Sequence, residues 1–271
     1  MSTIRTNSSH KEEILKGERY PFGRNWAKFL SLLNEDRINL AIESLKYMLS
    51  VNDLKEKTFL DIGSGSGLFS LAARMLGANV VSFDYDPQSV ACTSELKRRF
   101  YANDQHWQIE TGSILDTEYI SSLGQFDYVY SWGVLHHTGK MWDALNNAAI
   151  PVKKDGKLFV AIYNYQPIFS TYWLNVKKIY NKYPITKPFF VFLHFLYPVM
   201  PSILVKFLLR RSDVRGMNAW YNLLDWLGGY PFEVARPEEV FDFYKNKSFV
   251  LEKMKTVSGR MGCNEFVFKK S

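Results

Sequence analysis

Three glycines at alternate positions, Gly63, Gly65 and Gly67, lie between two apolar segments. The segment before them, residues 58–62, is short and apolar, which favours a buried strand. The segment after them, residues 68–76, has apolar residues at helical spacing. Glycine lets a ligand lie against bare backbone, and the first turn of a helix offers unpaired N–H groups. The stretch therefore predicts a strand, a tight turn and a helix that together bind a nucleotide.

The spacing of these glycines and two nearby acids narrow the class of nucleotide. A dinucleotide site has the pattern G-x-G-x-x-G, whereas here Leu68 stands at the sixth position. The turn also lacks the G-K-[ST] of a phosphate-binding loop, which excludes that class. Asp61 would repel a pyrophosphate, but it suits a ligand that carries a sulfonium and an ammonium group. Asp84 ends a second predicted strand, 17 residues after Gly67, where a carboxylate can accept hydrogen bonds from both ribose hydroxyls.

Three motifs now carry a resemblance to a known family. They are Asp61-Ile62-Gly63-Ser64-Gly65-Ser66-Gly67, Phe83-Asp84-Tyr85-Asp86-Pro87, and Phe126-Asp127-Tyr128-Val129-Tyr130-Ser131-Trp132-Gly133-Val134-Leu135-His136-His137. In these motifs the chain resembles the class I S-adenosylmethionine-dependent methyltransferases, and most closely the small-molecule branch around the quinone-ring (ubiquinone-type) methylases. The resemblance covers residues 56–164 and, more loosely, the last 25 residues. It implies that S-adenosylmethionine is the cofactor.

The resemblance and the positions of the motifs assign the cofactor contacts to the strand ends and to one N-terminal helix. The expected contacts are Asp61, Gly63, Ser64, Gly65, Gly67, Asp84, Tyr85, Ser113, Ile114, Ser131, Trp132 and Arg24. Ser113 stands where the family often has an acid for the adenine amine, so Asp116 either substitutes for that acid or caps the next helix. Tyr85 as a loop residue, Trp132 as a core residue and Arg24 as a solvated side chain are the structural alternatives.

Two adjacent histidines, His136 and His137, follow the fourth predicted strand, where the resemblance places the transferred methyl group. Methyl transfer is an in-line displacement, so most of its rate comes from holding the acceptor in position. A hydroxyl acceptor also needs a base, and histidine suits that role near neutral pH. Since adjacent side chains point in different directions, at most one histidine is expected to face the acceptor. The sequence slightly favours His136, and a structural loop role stays open for each.

The acceptor is expected to lie against the end of the fifth strand and the segment that follows it. Paired glycines, Gly228 and Gly229, are flanked by aromatic residues, as in a mobile flap. The candidate acceptor contacts are Tyr163, Asn164, Tyr221, Asp225, Tyr230, Arg236 and Arg260. Each of them alone has a structural role as the alternative.

The order of the predicted elements indicates an α/β fold. Strands alternate with helices from residue 56 to residue 164, which predicts a doubly wound Rossmann-like sheet with right-handed crossovers. A final hairpin completes seven strands, the last of them antiparallel. We expect a loose tail over residues 1–17 followed by cap helices, and four regions in all: residues 1–55 (tail and cap helices), 56–164 (cofactor-binding core), 165–235 (helical insertion, a substrate lid) and 236–271 (last helix and hairpin).

The insertion carries the net charge of the chain. From Tyr165 to Arg215 it contains eight basic residues and one acid, Asp213. The net charge of this segment therefore equals the net charge of the whole chain, +7. Such a local positive field favours an anionic partner. Within the insertion, residues 189–209 are long and apolar enough to suggest a membrane span, but two prolines and a lysine disfavour it. A lid or a homodimer contact is the default expectation, and peripheral membrane contact is the alternative.

The rest of the sequence limits the expected cellular compartment of the protein and its expected partners. Residues 1–19 have no apolar signal-peptide core, and Cys92 and Cys263 have no metal-ligand spacing, so we expect a cytoplasmic protein with free thiols and no metal site. A nucleic acid is a disfavoured substrate, because residues 131–134 lack the Asn/Asp-Pro-Pro-aromatic loop of base-amine methylases. The two cysteines are also not placed for an RNA cytosine-5 methylase.

These observations favour a small-molecule O-methyltransferase. Its expected acceptor is anionic, phosphorylated or nucleotide-linked, such as a surface-glycan, quinone or secondary-metabolite precursor. N-methylation stays open. The alternatives are an RNA methyltransferase that uses the basic insertion, and a non-catalytic module that keeps the cofactor fold.

Overall fold

A computed structural model describes residues 2–196 and 219–271 of the chain. Seven strands form one sheet in the order β3-β2-β1-β4-β5-β7-β6. The strands are β1 (Thr58–Ile62), β2 (Asn79–Asp84), β3 (Trp107–Thr111), β4 (Phe126–Trp132), β5 (Val152–Tyr163), β6 (Phe249–Lys255) and β7 (Cys263–Lys270). Strands β1 to β5 pair in parallel, and β7 runs antiparallel between β5 and β6. The predicted doubly wound sheet with its antiparallel final hairpin is therefore confirmed.

Helices occupy both faces of the sheet, and three of them precede β1. The helices are α1 (Ser2–Leu15), α2 (Gly23–Ser31), α3 (Glu35–Leu49), α4 (Leu68–Met75), α5 (Pro87–Tyr101), α6 (Thr117–Ser122), α7 (Met141–Ala149), α8 (Phe169–Lys182), α9 (Lys187–His194), α10 (Ala219–Gly228) and α11 (Pro237–Lys245). Two short 3-10 turns span Leu135–His137 and Pro184–Thr186. Helix α1 corrects the expectation that residues 1–17 form a loose tail.

The sheet separates two hydrophobic clusters, because successive side chains of a strand point to opposite faces. Leu60 and Ile62 of β1 pack with the cluster that holds α7 and α11, whereas Phe59 packs with the cluster that holds α3, α4 and α5. The strands are thus buried on both sides, as expected for a parallel sheet. This packing fixes the carboxyl ends of β1, β2, β4 and β5 along one edge, where ligands bind in open α/β sheets.

A third cluster lies in the insertion that follows β5. Trp173, Val176 and Tyr180 of α8 pack against Leu223 and Leu227 of α10. The insertion is helical where it is described, and residues 197–218 lie outside the described residues. The predicted apolar stretch 189–209 therefore falls only partly within them. No helix of the described chain combines the length and the hydropathy needed to cross a bilayer.

Candidate active site

The glycine turn adopts a backbone conformation that other residues disfavour. Gly63, Gly65 and Gly67 have φ angles of 77°, 55° and 81°. A Cβ atom on Gly63 would lie 2.4 Å from Cγ1 of Val134, and one on Gly65 would lie 3.0 Å from Nε1 of Trp26. The turn therefore needs glycine for its conformation and for the close approach of the β4 loop and of α2.

A buried chain of hydrogen bonds ends on the carboxylate of Asp61. Trp107 Nε1 donates to Ser82 Oγ at 2.9 Å, Ser82 Oγ donates to Ser70 Oγ at 2.7 Å, and Ser70 Oγ donates to Asp61 Oδ2 at 2.5 Å. This direction holds when Asp61 is ionised, because an indole nitrogen only donates and an ionised carboxylate only accepts. All four side chains are buried. The sequence analysis missed Ser70, Ser82 and Trp107, although Ser82 is a polar residue inside an otherwise apolar strand.

Asp84 is the second carboxyl group at this edge. It accepts the backbone N–H of Gly65 on Oδ2 and that of Asp86 on Oδ1, both at 2.9 Å. Burial raises the pKa of Asp84 to about 6 against these two hydrogen bonds. Burial likewise raises the pKa of Asp61 to about 7; the bond from Ser70 lowers it, and repulsion from Asp84 raises it further. The two groups together favour a ligand that brings positive charge.

The N-terminal segment covers the glycine turn and the end of β2. The backbone N–H of Gly23 donates to Asp86 Oδ2 at 2.8 Å, and Trp26 lies over Gly65. Arg19 pairs with Glu13 at 2.5 Å and donates to the carbonyl oxygen of His137 at 3.1 Å. Helices α1 and α2 thus close the carboxyl edge of the sheet from one side. Arg19 was not predicted, because its role depends on a contact across 118 positions.

The two histidines have opposite hydrogen-bonding roles. Nδ1 of His137 lies 2.6 Å from the carbonyl oxygen of Pro231. A carbonyl oxygen only accepts, so Nδ1 of His137 carries the proton and Nε2 has the free lone pair. Nδ1 of His136 instead accepts the N–H of Tyr163 at 3.3 Å. The proton of neutral His136 is therefore on Nε2, which is buried and has no hydrogen-bond partner among the described residues.

Both rings are held in the neutral form. Burial lowers the pKa of His137 to about 3; the hydrogen bond to Pro231 opposes this shift, whereas the charges of Lys177 and Arg19 add to it. Burial, His137 and Lys177 lower the pKa of His136 well below its usual range. The pair thus presents one hydrogen-bond acceptor and one donor next to the end of β4. This arrangement suits an acceptor that must lose a proton while its position is fixed.

Comparison with known proteins agrees with this site. The family described as "Methyltransferase domain" matches residues 60–158, which include the glycine turn, Asp84 and both histidines. The chain contains a class I S-adenosylmethionine-dependent methyltransferase domain. The methyltransferase is 26% identical over 168 residues to the ubiquinone biosynthesis O-methyltransferase of Pelagibacter ubique, a match that covers 58% of this chain and 67% of that protein.

Two further proteins are similar to this chain, one in part of its sequence and one in its fold. The tRNA U34 carboxymethyltransferase of Actinobacillus pleuropneumoniae is 33% identical over 106 residues, which cover 39% of this chain and only 32% of that protein. The crystal structure of magnesium protoporphyrin IX methyltransferase from Synechocystis PCC 6803 with bound SAH superposes with a TM-score of 0.57 at 11% identity. That superposition covers 96% of this chain and 100% of the other, so the shared fold extends beyond the matched family domain.

The residues of the turn fit S-adenosylmethionine, the cofactor of the methyltransferase. Gly63 and Gly65 present bare backbone at the turn, and the two buried carboxyl groups supply negative charge for the ammonium group and hydrogen-bond acceptors for the ribose hydroxyls. Ser131 and Ile114 are buried at the ends of their segments, where Ser131 Oγ donates to the carbonyl of Ile62 at 3.1 Å. The individual cofactor contacts stay predictions.

Other predicted cofactor residues have partners in the protein. Tyr85 donates to Glu13 of α1 at 2.9 Å, and its ring lies 4.9 Å from the guanidinium of Arg19. Trp132 donates to Glu265 of β7 at 3.2 Å. Asp116 is the N-cap of α6 and accepts the N–H of Tyr119, which favours its capping role over adenine binding. The side chain of Arg24 lies outside the described side chains.

One lysine of the insertion is buried beside the histidines of the methyltransferase. Lys177 is 0% exposed, donates to the carbonyl oxygen of Trp226, and lies 4.4 Å from the centre of one Trp226 ring. Burial lowers the pKa of Lys177 to about 7, and Asp225 opposes that shift. A Cβ on Gly229 would lie 3.1 Å from Cε1 of His137 and 3.4 Å from Nζ of Lys177, so both side chains reach the same backbone position. Lys177 therefore does not belong to a solvated basic surface, which the sequence analysis missed.

A narrow aromatic cleft with a volume of about 10 Å³ lies between the end of β5 and the insertion. Its lining residues are Tyr163, Asn164, Gln166, Phe169, Ser170, Trp173, Trp226, Phe232, Met261 and Gly262. The ring of Tyr163 lies 3.9 Å from that of His136, so this wall of the cleft adjoins the histidines.

The predicted acceptor residues divide into two groups. Tyr163, Asn164 and Asp225 lie at or beside the cleft, and Asp225 accepts a hydrogen bond from Asn25. Tyr230 accepts the N–H of Tyr20 on its backbone carbonyl. Arg260 is exposed at the turn between β6 and β7, where its carbonyl accepts from Asn164 at 3.1 Å. The side chain of Tyr221 lies outside the described side chains.

Proposed function

We propose that the methyltransferase methylates an oxygen atom of a small, anionic, planar acceptor that enters through the aromatic cleft. The observation that carries this proposal is that the two neutral histidines are opposite tautomers, with the proton on Nδ1 in His137 and on Nε2 in His136. S-adenosylmethionine, when bound, supplies an electrophilic methyl group on a sulfonium. The aromatic side chains of Tyr163, Trp173 and Trp226, which pack edge to face against one another, support a planar acceptor, since flat rings pack well against aromatic walls.

His137 is the proposed base. Its Nε2 lone pair takes the proton of the acceptor hydroxyl as the new C–O bond forms and the C–S bond breaks. The hydroxyl oxygen becomes strongly acidic as it gains the methyl group, so a neutral imidazole with a low pKa is sufficient to take the proton. The carbonyl of Pro231 fixes the tautomer of His137 and the direction of its lone pair. This assignment replaces the slight preference of the sequence analysis for His136.

His136 is the proposed hydrogen-bond donor. Its buried Nε2–H has no partner among the described residues, and an unsatisfied buried donor costs roughly 1–3 kcal/mol. An oxygen atom of the acceptor next to the reacting hydroxyl would satisfy it. His136 would therefore hold the acceptor in line for transfer. Replacing His136 would raise KM more than replacing His137.

An anionic acceptor is supported by the charge of the insertion. All excess positive charge of the chain lies between residues 165 and 215. A local excess of positive charge raises the concentration of anions near it. The proposed acceptor class is a phenol or enol that also carries a carboxylate or phosphate.

A transfer assay with methyl-labelled cofactor tests this function. We expect labelled product from carboxylated or phosphorylated phenols, and less from their neutral esters. His137→Gln should lower kcat by about 100-fold or more with cofactor affinity unchanged, while His136→Gln should act mainly on KM. His106→Gln, at an exposed position, is the matched control. Transfer to tRNA alone, and to no small acceptor, would overturn the proposal in favour of the RNA alternative.

A further inference from the structure

The outer faces of α8 and α9 expose an unusual number of large apolar side chains. Ile168 and Ile185 are 80% and 90% exposed, and Phe189 and Phe192 are 63% and 66% exposed. We define the α8–α9 face by its exposed apolar residues, which are Ile168, Phe169, Tyr172, Ile179, Tyr183, Ile185, Phe189, Phe192, Leu193 and Leu196. Clusters of exposed large apolar side chains on a protein surface mark a site of interaction.

The α8–α9 face is separate from the packed side of the same helices. Trp173, Val176 and Tyr180 point to the interior of the insertion, where they form its core. His194 is also buried, and its Nε2 lies 2.8 Å from the hydroxyl of Tyr172 at the edge of the face. The exposed side chains therefore lie beside the packed side of helices that are already anchored. An amphipathic helix with a second apolar face needs a further partner.

The charge around the face indicates the chemistry of that partner. Residues 165–196 contain four lysines and no acid. Lys177 is buried, whereas Lys178 and Lys182 are exposed and Lys187 is half-buried on the same helices. Lys182 and Lys187 lie 5.6 Å and 5.3 Å from the ring centres of Tyr183 and Tyr180. Exposed aromatic and aliphatic residues bordered by lysines are typical of helices that lie in the interface of an anionic bilayer.

We propose that the α8–α9 face docks on the surface of an anionic lipid bilayer. Its apolar side chains enter the boundary between headgroups and acyl chains, and the three lysines contact lipid phosphates. No described helix is long and apolar enough to cross the bilayer. The proposed contact is interfacial. Helix α9 spans Lys187–His194, and its lysine and histidine lie at its two ends.

The position of the face gives the docking a function. Phe169 belongs to the α8–α9 face and also lines the aromatic cleft. The mouth of the cleft thus lies at the border of the docked surface. An amphipathic acceptor dissolved in the bilayer would pass Phe169 and reach Tyr163 without crossing bulk water. This step, unlike the docking itself, rests on the proposed function.

Co-sedimentation of the full chain with vesicles tests the docking. We expect binding to vesicles of phosphatidylcholine that contain phosphatidylglycerol, and much weaker binding to phosphatidylcholine alone. Phe189→Ser with Phe192→Ser should lower the partition coefficient by about tenfold or more. Replacing Lys178, Lys182 and Lys187 with alanine should lower it to a similar extent on the anionic vesicles only.

Matched controls separate docking from general loss of structure. Leu40→Ser with Val250→Ser changes two exposed apolar residues outside the face and should leave partitioning unchanged. All variants are compared for cofactor binding, which the proposal expects to stay intact. A failure of methyl transfer with vesicle binding intact would count against the proposed function and not against docking.

Three results would overturn the docking proposal. The first is no partitioning of the full chain onto the anionic vesicles. The second is equal partitioning of the serine variants and the wild type. The third is a dimer in lipid-free buffer that Phe189→Ser with Phe192→Ser dissociates, with no vesicle binding, which would assign the face to a second copy of the chain.

Discussion

The affinity of the methyltransferase for its cofactor should fall in acid because two buried carboxyl groups must be ionised to bind it. The pKa of Asp61 is raised to about 7 and that of Asp84 to about 6, in both cases mainly by burial. A ligand with a sulfonium and an ammonium group favours the ionised forms. Below these pKa values each carboxyl must therefore lose a proton before the cofactor binds.

The size of this effect follows from the ionised fractions. At about pH 5, a carboxyl group with a pKa of about 7 is only about 1% ionised, so Asp61 alone lowers the affinity by about 100-fold relative to its fully ionised state. Asp84 adds up to about tenfold. The same raised pKa values favour the folded protein without cofactor most in acid, and this advantage is lost as the pH rises through about 6 to 7. The increase in Tm on adding the cofactor should therefore be larger at alkaline than at acid pH.

Calorimetric titration with S-adenosylmethionine from about pH 5 to about pH 8 measures this dependence, and buffers of different ionisation enthalpy count the protons released. Asp61→Asn should remove the part of the pH dependence centred near 7. Ser70→Ala removes the hydrogen bond that lowers the pKa of Asp61, so the midpoint should move to higher pH. Asp53→Asn, at an exposed position, is the control. Constant affinity over this range, or a loss on the alkaline side only, would refute the reasoning.

Two further predictions concern buried contacts. Gly63→Ala should abolish cofactor binding, because its Cβ would lie 2.4 Å from Val134. Gly124 has a similar φ of 82° but open space around it, so the Gly124→Ala variant should bind the cofactor normally. Equal affinities of the two variants in calorimetry would contradict this account. Lys177→Met should stabilise the protein by up to about 5 kcal/mol in acid, because burying the charged form of Lys177 lowers the stability of the folded protein. In acid Asp225, with its pKa raised to about 6, is largely neutral and does not offset this charge. In the unfolded chain Lys177 keeps its proton up to its ordinary pKa of 10.5, whereas in the folded protein it loses the proton at about pH 7. The free energy of unfolding of the wild type therefore rises with pH above about 7. The stabilisation by Lys177→Met should accordingly vanish in alkali. Urea unfolding at acid and alkaline pH measures the difference, and a variant destabilised in acid would disprove it.

The sheet was predictable from sequence because its signals are local. The glycine turn, the apolar strands and the acid at the end of β2 each lie within a few residues, and periodicity assigns them to elements. The final hairpin was predicted on the same basis. The cofactor class followed from the spacing of Gly63, Gly65 and Gly67 together with Asp61 and Asp84. None of these inferences needed a contact between distant segments.

The parts that escaped prediction depend on tertiary contacts. Lys177 resembles its neighbour Lys178 in sequence, and only the packing of α8 buries one and exposes the other. The roles of His136 and His137 are set by the backbone of Tyr163 and Pro231, 27 and 94 positions away. The direction of a hydrogen bond to a distant carbonyl leaves no trace in a local pattern. For that reason the sequence could place the two histidines but could not choose between them.

Nitrogen NMR of histidine-labelled protein tests the central claim of this account most directly. Long-range coupling of ring protons to ¹⁵N distinguishes the two neutral tautomers of each imidazole. The account predicts that His137 carries its proton on Nδ1 and His136 on Nε2, and that both rings stay neutral down to about pH 5. His137→Gln and His136→Gln assign the two signals. The same tautomer in both rings, or a His137 protonated on Nε2, would contradict the assignment of base and donor.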